Sequence, residues 1–203
     1  MERGLNMSLV KHGITQNTPS NILLGAGTWF KGLAYKEGDG WSGTVLGATS
    51  GGSSIKITPE VKDVEIDGAL ALAKGLAVMQ GGTGEAEVNF AEINKDILSM
   101  TTLGEVVSGD GENAVTGFDC IQTKNAITEG DYVENLGFVG YTADQSKQII
   151  VILDYALCKS GLQLDAKNKE NAVIKATFTA YGSIDTDLDR VPIRIYYPAE
   201  SGV

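Results

Sequence analysis

At 203 residues the chain can bury one substantial core, and a single domain is expected because β-sandwiches and barrels commonly reach this size. Hydrophobic residues make up 42 % of the total, and 26 glycines against 4 prolines point to many tight turns between short strands. A formal net charge of −10 with no basic cluster excludes ordinary nucleic-acid binding, which relies on grouped Lys and Arg to displace phosphate counterions.

In chain order, the N-terminal residues MERGLNMSLVKHG lack the apolar core of a signal peptide, so the chain is expected to stay in the cytoplasm where it is made. Asn21 to Leu24 and Thr28 to Tyr35 are short apolar segments around Gly25 and Gly27, either two strands or one strand bent at a glycine bulge. Lys36 to Gly43, KEGDGWSG, reads as a polar loop carrying Trp41, an aromatic that loops seldom expose without a partner surface. Thr44 to Ala48 resumes the sheet. From Ser53 to Ile66 the apolar face sits on Ile55, Ile57 and Val61, then switches parity to Val64 and Ile66. Such a switch requires a bulge or a strand that changes sheets, and Pro59 favours an edge position.

Glu85 to Phe90 alternates cleanly, with Ala86, Val88 and Phe90 inward, as in a half-wet antiparallel strand. A helix is predicted next, Ile93 to Leu103. Asn94 is its N-cap, Asp96 lies in the first turn where the dipole favours an acid, Ile93 and Leu98 have hydrophobic-staple spacing, and Gly104 ends it. Glu105 to Asn113 reads as a polar loop or flexible hairpin, and Val115 to Ile121 and Tyr132 to Thr142 as strands. Lys147 to Cys158 contains Ile149 to Leu153 with no polar face, so both sides of that strand should be covered; this longest apolar run is far too short to span a bilayer. Ala172 to Ala180 alternates again, and Val191 to Pro198, VPIRIYYP, is an edge strand or arm. No fixed-period repeat occurs.

Several spacings imitate known chemistry. Gly38-Asp39-Gly40-Trp41-Ser42-Gly43 fits G-x-G-x-x-G, but a dinucleotide loop must open a helix, and TVLGATSGG follows instead. Asp185, Asp187 and Asp189 begin like a calcium loop, yet Arg190 replaces its glycine and Tyr196 its bidentate glutamate, which leaves a solvated acidic turn. His12 is the only histidine and lies in a polar terminal segment, so a histidine base or histidine-ligated zinc would depend on it alone. Cys120 and Cys158 have no metal-site spacing and are expected as free thiols. The acids Asp63, Glu65 and Asp67, and the pair Glu85 and Glu87, fall on outward strand positions and read as solvated faces rather than a glycosidase pair. No catalytic residue, metal ligand or cofactor site is assigned.

The stretch from Gly47 to Ile93, GATSGGSSIKITPEVKDVEIDGALALAKGLAVMQGGTGEAEVNFAEI, resembles the major tail protein, or tail tube protein, of tailed bacteriophages. That family shows a glycine-rich GATxGG turn, an alternating IxIxPExxxxEIDG strand, and an AEVNFAEI-type strand running into a short helix near DIL. The resemblance implies a mostly β fold of two packed antiparallel sheets with one short flanking helix, here around Asn94, Ile97 and Leu98, and long loops. It implies one tail tube domain over residues 1–203, with an N-terminal arm of about residues 1–19 and a C-terminal segment of about residues 188–203. It further implies six copies closing a ring, and rings stacking into a hollow tube that conducts DNA during ejection.

On that likeness the Gly38, Asp39, Gly40 and Trp41 loop would reach the adjacent ring, with Trp41 as anchor. Glu65, Asp67, Glu85 and Glu87 would include lumen-facing acids that repel passing phosphates. The implied partners are other copies of the chain, a tape measure protein, the baseplate or tail tip and a tail terminator, with DNA only as transient cargo and no direct membrane insertion. The implied location is the virion tail, assembled in the bacterial host cytoplasm. A tail-like bacteriocin or injection particle would use the same fold without the genome. The alternative from another class is a carbohydrate-binding β-sandwich with Trp29, Trp41 and tyrosines as stacking platforms.

Overall fold

The computed structural model describes residues 13–108, 115–164, 168, 171–185 and 188–199. Its strands are β1 (Leu23–Lys36), β2 (Gly40–Val45), β3 (Thr49–Asp63), β4 (Ala77–Phe90), β5 (Gly104–Ser108), β6 (Asp119–Thr123), β7 (Val133–Thr142), β8 (Gln148–Cys158), β9 (Ile174–Tyr181) and β10 (Ile193–Tyr196). The single α-helix is α1 (Lys95–Thr102). Eight strands form one antiparallel sheet in the order β2-β1-β7-β8-β9-β4-β3, with β10 added on β8, while β5 and β6 make a separate two-stranded sheet.

That order sets a constraint. β2 and β3 lie at opposite ends of the sheet, yet only Leu46, Gly47 and Ala48 separate them in the chain. So short a link reaches no more than roughly 14 Å even when fully extended. The sheet must therefore curl until its two ends meet. At the seam the Leu46 N–H donates to the Trp29 carbonyl at 3.0 Å, and the Trp29 indole N–H donates to Ser53 Oγ at 2.9 Å. Gly47 holds φ at +151°, and a Cβ there would sit 3.3 Å from both Glu92 Cβ and Ile97 Cδ1. The link is thus tight enough to require glycine.

The curl encloses one core. Alternation in β4 and β9 supplies it directly: Ala86, Val88, Phe90, Ile174, Ala176 and Phe178 are all fully buried. Trp29, Leu136, Phe138 and Leu153 complete it from the facing half, and Ile97 enters from α1. β8 is covered on both faces, as its unbroken apolar run requires. Val151 and Leu153 face the main core, whereas Ile150 and Ile152 join Leu33 in a second, smaller cluster on the other side of the sheet.

Local expectations fare differently. β1 is one strand, with its pairing to β7 shifted between Leu24 and Thr28 where Gly25 and Gly27 adopt positive φ. The expected parity switch between Val61 and Val64 is not a bulge in β3: the strand stops at Asp63, so Val64 and Ile66 belong to the following loop, and the one nearby register shift, between Glu60 and Val61, puts its extra residue, Gln80, on β4. Asn94 caps α1, accepting from the Ile97 N–H at 2.9 Å. The helix ends one residue before the expected glycine: Leu103 takes the left-handed position at φ 50° and donates to Ser99. Gly104 instead opens β5, where a Cβ would meet Thr102 Oγ1 at 2.7 Å and the Gln122 carbonyl at 2.9 Å. The polar loop expected after it is a strand as far as Ser108, and the rest of that expectation, residues 109–113, lies outside the described residues.

Along one edge of β8 the sheet divides. β9 pairs with Tyr155 to Cys158, and β10, running in the same direction, pairs with Ile150 to Leu153. Asp154 marks the division, accepting from Arg194 Nε at 2.6 Å and Arg190 Nη2 at 2.8 Å. The C-terminal segment then crosses β4, where a Cβ on Gly84 would lie 2.3 Å from Ile193 Cδ1.

A second buried charge sits before β7. In the 3-10 turn Glu129–Asp131, the Asp131 carboxylate accepts from the Thr128 N–H and hydroxyl and pairs with Lys124 at 2.7 Å, with its side chain only 5 % exposed. Burial alone would raise the Asp131 pKa, but Lys124 and Thr128 together hold it below its usual 3.8. A lowered folded pKa contributes stability that is complete above the ordinary value and lost as pH falls through the folded one. Asp131→Asn should cost about 2–4 kcal/mol at neutral pH, because Lys124 keeps a partly buried charge without its partner. The gap between wild type and variant in urea melts should close as pH falls below about 4; a gap constant down to pH 2 would refute the assignment.

Candidate functional site

Beyond the curled body, β3 and β4 continue as a two-stranded arm. Every residue from 56 to 75 is exposed, as are residues 77–80 on the returning strand. From the Lys56↔Glu85 pair to the Asp63↔Ala77 pair the arm extends roughly 23 Å at about 3.3 Å per residue. The loop beyond is closed by the Val64 N–H donating to the Leu76 carbonyl at 2.9 Å. β3 pairs with β4 alone, so the outer edge of the arm carries no strand neighbour among the described residues.

The arm is also apolar. Val61, Val64, Ile66, Leu72, Val78 and Met79 are all exposed, and Leu70 at the tip is as accessible as in an extended chain. An isolated exposed leucine needs no explanation, but a contiguous set on a projecting element marks an interaction surface. The acids Glu65 and Asp67 share this loop, whereas Glu85 and Glu87 lie at the other end of the arm, on the outward face of β4. Glu87 pairs with Lys175 at 3.1 Å, and Glu85 stands opposite Lys56. The structure does not bring the four acids together.

A second surface lies on the outer face of the sheet. An open groove of about 630 Å³ runs over β1, β8 and β10, floored by Leu33, Ile150 and Ile152. Tyr35 and Trp41, a cross-strand pair, stand on one side with ring centroids 5.5 Å apart, and Tyr196 meets Trp41 edge-on at 4.8 Å. Tyr197 and Pro198 extend that wall. At one end Arg194 spans Asp154 Oδ1 and Asn135 Oδ1, both at 2.6 Å. Partial burial works against the Arg194 charge, but Asp154 and Tyr196 outweigh it and raise the guanidinium further above its usual range. At the other end Lys147 Nζ donates to Tyr197 Oη at 3.1 Å and Asn21 Oδ1 at 2.9 Å.

Trp41 therefore belongs to a strand and to its own chain's aromatic cluster. The loop expected from Lys36 to Gly43 is a three-residue turn, Glu37 to Asp39, with Gly38 and Asp39 at its apex and Gly40 already in β2. Trp29 is fully buried, so it offers no stacking face to a sugar. Ile97 is buried and Leu98 packs against the core, fixing α1 to the body. Cys120 and Cys158 are free thiols. Asp185 and Asp189 are exposed, while Asp187 and His12 lie outside the described residues. Among the described residues no cluster of His, Cys, Asp or Glu could hold a metal ion, and no helix is long and apolar enough to cross a membrane.

Sequence reasoning missed Leu70, Leu72, Tyr35, Tyr196 and Tyr197. The available signals were the nearly uncharged run from Ala69 to Val78 beside an acidic strand, and adjacent tyrosines before Pro198. No protein-family model and no curated protein matches the chain.

Because nothing in the body rests on the tip, Leu70→Ser with Leu72→Ser should shift the melting temperature by less than about 2 °C. Phe178→Ala, in the enclosed core, should cost about 3–5 kcal/mol. Thermal and urea melts of both variants check the contrast; a tip variant that melts as early as the core variant would show that the arm folds back onto the body.

Proposed function

We propose that this chain is a structural virion subunit, assembled as stacked hexameric rings into a phage tail tube through which DNA passes into the host cell. The observation that carries the self-assembly part is the arm: a long antiparallel ribbon that beyond Glu85 has no strand neighbour on either edge among the described residues, and that ends in an exposed apolar tip. An unpaired strand edge is a template for another strand, and exposed aliphatic side chains gain about 25 cal/mol per Å² when covered. Among the described residues nothing covers the edge or the tip, so both gains are available from another molecule. The tube part rests on the resemblance of residues 47–93 to tail tube proteins, a stretch that coincides with the seam, the arm and the strand leading to α1.

The rigidity this role needs comes from the curled body, where α1 is tied in by Asn94 Nδ2 donating to the Leu46 carbonyl at 2.7 Å. Arm and body have separate duties on this reading, the body holding each copy's shape and the arm meeting its neighbours. The acidic surface suits a conduit, since carboxylates repel phosphates and limit adhesion of passing DNA.

Negative-stain micrographs of the concentrated protein test the reading. Wild type should give hollow tubes of stacked rings, and a variant with residues 60–80 replaced by a short Asn-Gly turn should stay monomeric with an unchanged melting curve. Globular particles under every concentration and salt condition would reject it. Lumen charge has its own test: lysine at Glu85 and Glu87, at the body end of the arm, should leave tubes intact but slow DNA ejection from particles. Unaltered ejection kinetics would discard the charge argument while leaving the tube.

A further inference from the structure

Where the arm leaves the body, β4 reads Gly81-Gly82-Thr83-Gly84, and the residue of β3 opposite Gly82 is Pro59. Three glycines set almost no side chain against the ladder, and a proline contributes no N–H to it. On the other edge of β4 the pairing with β9 begins only at Glu85. By its own pairing this four-residue root is the weakest part of the ribbon, and an arm held by it alone would bend there.

The C-terminal segment lies on that root. A Cβ on Gly82 would meet Val191 Cγ2 at 2.5 Å, and one on Gly84 would overlap Ile193 Cδ1 and lie 2.8 Å from its Cγ1. Gly82 and Gly84 are two apart on a strand and so share one face, and the side chains seated on them are likewise two apart. Val191 and Ile193 therefore occupy the space that side chains at positions 82 and 84 would fill. Glycine inside a strand often marks such a close approach. Gly84 is buried, although the ribbon beyond it is largely exposed.

We propose that Val191–Tyr196 is a latch that sets the direction of the arm. Seated, its two side chains wedge the glycine root and hold the arm at one angle to the body. Lifted, they leave the arm to swing about residues 81–84.

The latch is fixed to the body separately from the arm. β10 pairs with β8 over four residues, the Asp154 N–H donates to the Pro192 carbonyl at 3.0 Å, and Arg190 and Arg194 both pair with the Asp154 carboxylate. Only Val191 and Ile193 then reach across to the root, so the seat can open without disturbing the enclosed core. Contacts with so little buried surface belong to the low end of a molecule's range of local stability. An arm held in one direction also loses less conformational freedom when it meets a partner. This device operates within one copy and does not depend on the tube reading.

Spin labels on Lys62→Cys in the arm and Lys31→Cys in β1 test it, in a Cys120→Ser background with the native Cys158 buried. Double electron–electron resonance on the monomer should give one narrow arm-to-body distance distribution when the root and latch are wild type. Ile193→Ala, which empties the seat, and Gly84→Ala, which expels its occupant, should each widen that distribution about twofold or more. Combined in one chain, the two should bring it back towards the wild-type width, because a Cβ at position 84 takes the space that Cγ1 and Cδ1 of Ile193 vacate. A contact that only adds stability would show no such recovery.

A broad distribution in the wild-type background overturns the latch. So does a Gly84→Ala chain as narrow as wild type, or a double variant no narrower than the single ones. Should Gly84→Ala fail to fold, Ile193→Ala decides alone: a widened distribution supports the latch and an unchanged one refutes it.

Discussion

Three residues, Leu46 to Ala48, carry the chain from one edge of the eight-stranded sheet to the other, and much of the molecule follows from that short crossing. An open sheet of this order would leave the ends of β2 and β3 far beyond the reach of the link. Closing the sheet brings the Trp29 indole against Ser53, encloses the alternating faces of β4 and β9, and creates the site where α1 docks through Asn94 and Ile97. Curling also explains the arm. β3 and β4 are longer than the body they line, so once their inner ends are fixed at the seam their outer halves extend past its boundary.

The arm then has a different energetic character from the body. Its residues are ordered by backbone pairing between two strands, and an isolated two-stranded ribbon is only marginally stable in water. Opening of its outer half loses almost no buried surface, so its local stability sits at the low end of the molecule's range. Adhesive edges of this kind usually carry protection, and here Pro59, the Gln80 bulge opposite Glu60 and Val61, and the alternating charges of Lys56, Glu60, Lys62 and Asp63 interrupt a flat template. These devices discourage indiscriminate strand addition while leaving the apolar tip free for a shaped partner.

Where burial on one face imposes a period, the sequence was legible. Ala86, Val88 and Phe90, then Ile174, Ala176 and Phe178, were readable as inward residues because a pleated strand with one wet face permits little else. The unbroken run of β8 required two covered faces and has them, and Asn94 was identifiable because few side chains satisfy the first N–H groups of a helix. The arm was not legible for the same physical reason. Ile55 and Ile57 share a parity, yet Ile55 packs against the core while Ile57 is exposed, and alternation gives no signal of where the body ends. Trp41 and Leu103 were misjudged differently: turn-forming neighbours hid a strand tryptophan, and tertiary contacts at Gly104 place the left-handed residue one position early.

The division of the sheet at Asp154 links the arm to the groove. Without it β9 could continue along β8, and no separate strand would present Arg194 and Tyr196 beside Trp41. The segment that fills the vacant edge lays Ile193 against Gly84 at the base of the arm and then places Tyr196 and Tyr197 along the groove wall. One short stretch, Val191 to Pro198, thus packs against the root of the projecting surface and forms part of the concave one. A load on the arm would reach Ile193 directly, and through the four residue pairs of β10 with β8 it would reach the groove. The C-terminal segment thus ties the base of the arm to the groove wall. Its anchor is a two-arginine clamp on one carboxylate, with the Asp154 side chain 13 % exposed. With that carboxylate largely buried, removing both guanidiniums would leave its charge poorly solvated, whereas either one alone still pairs with it.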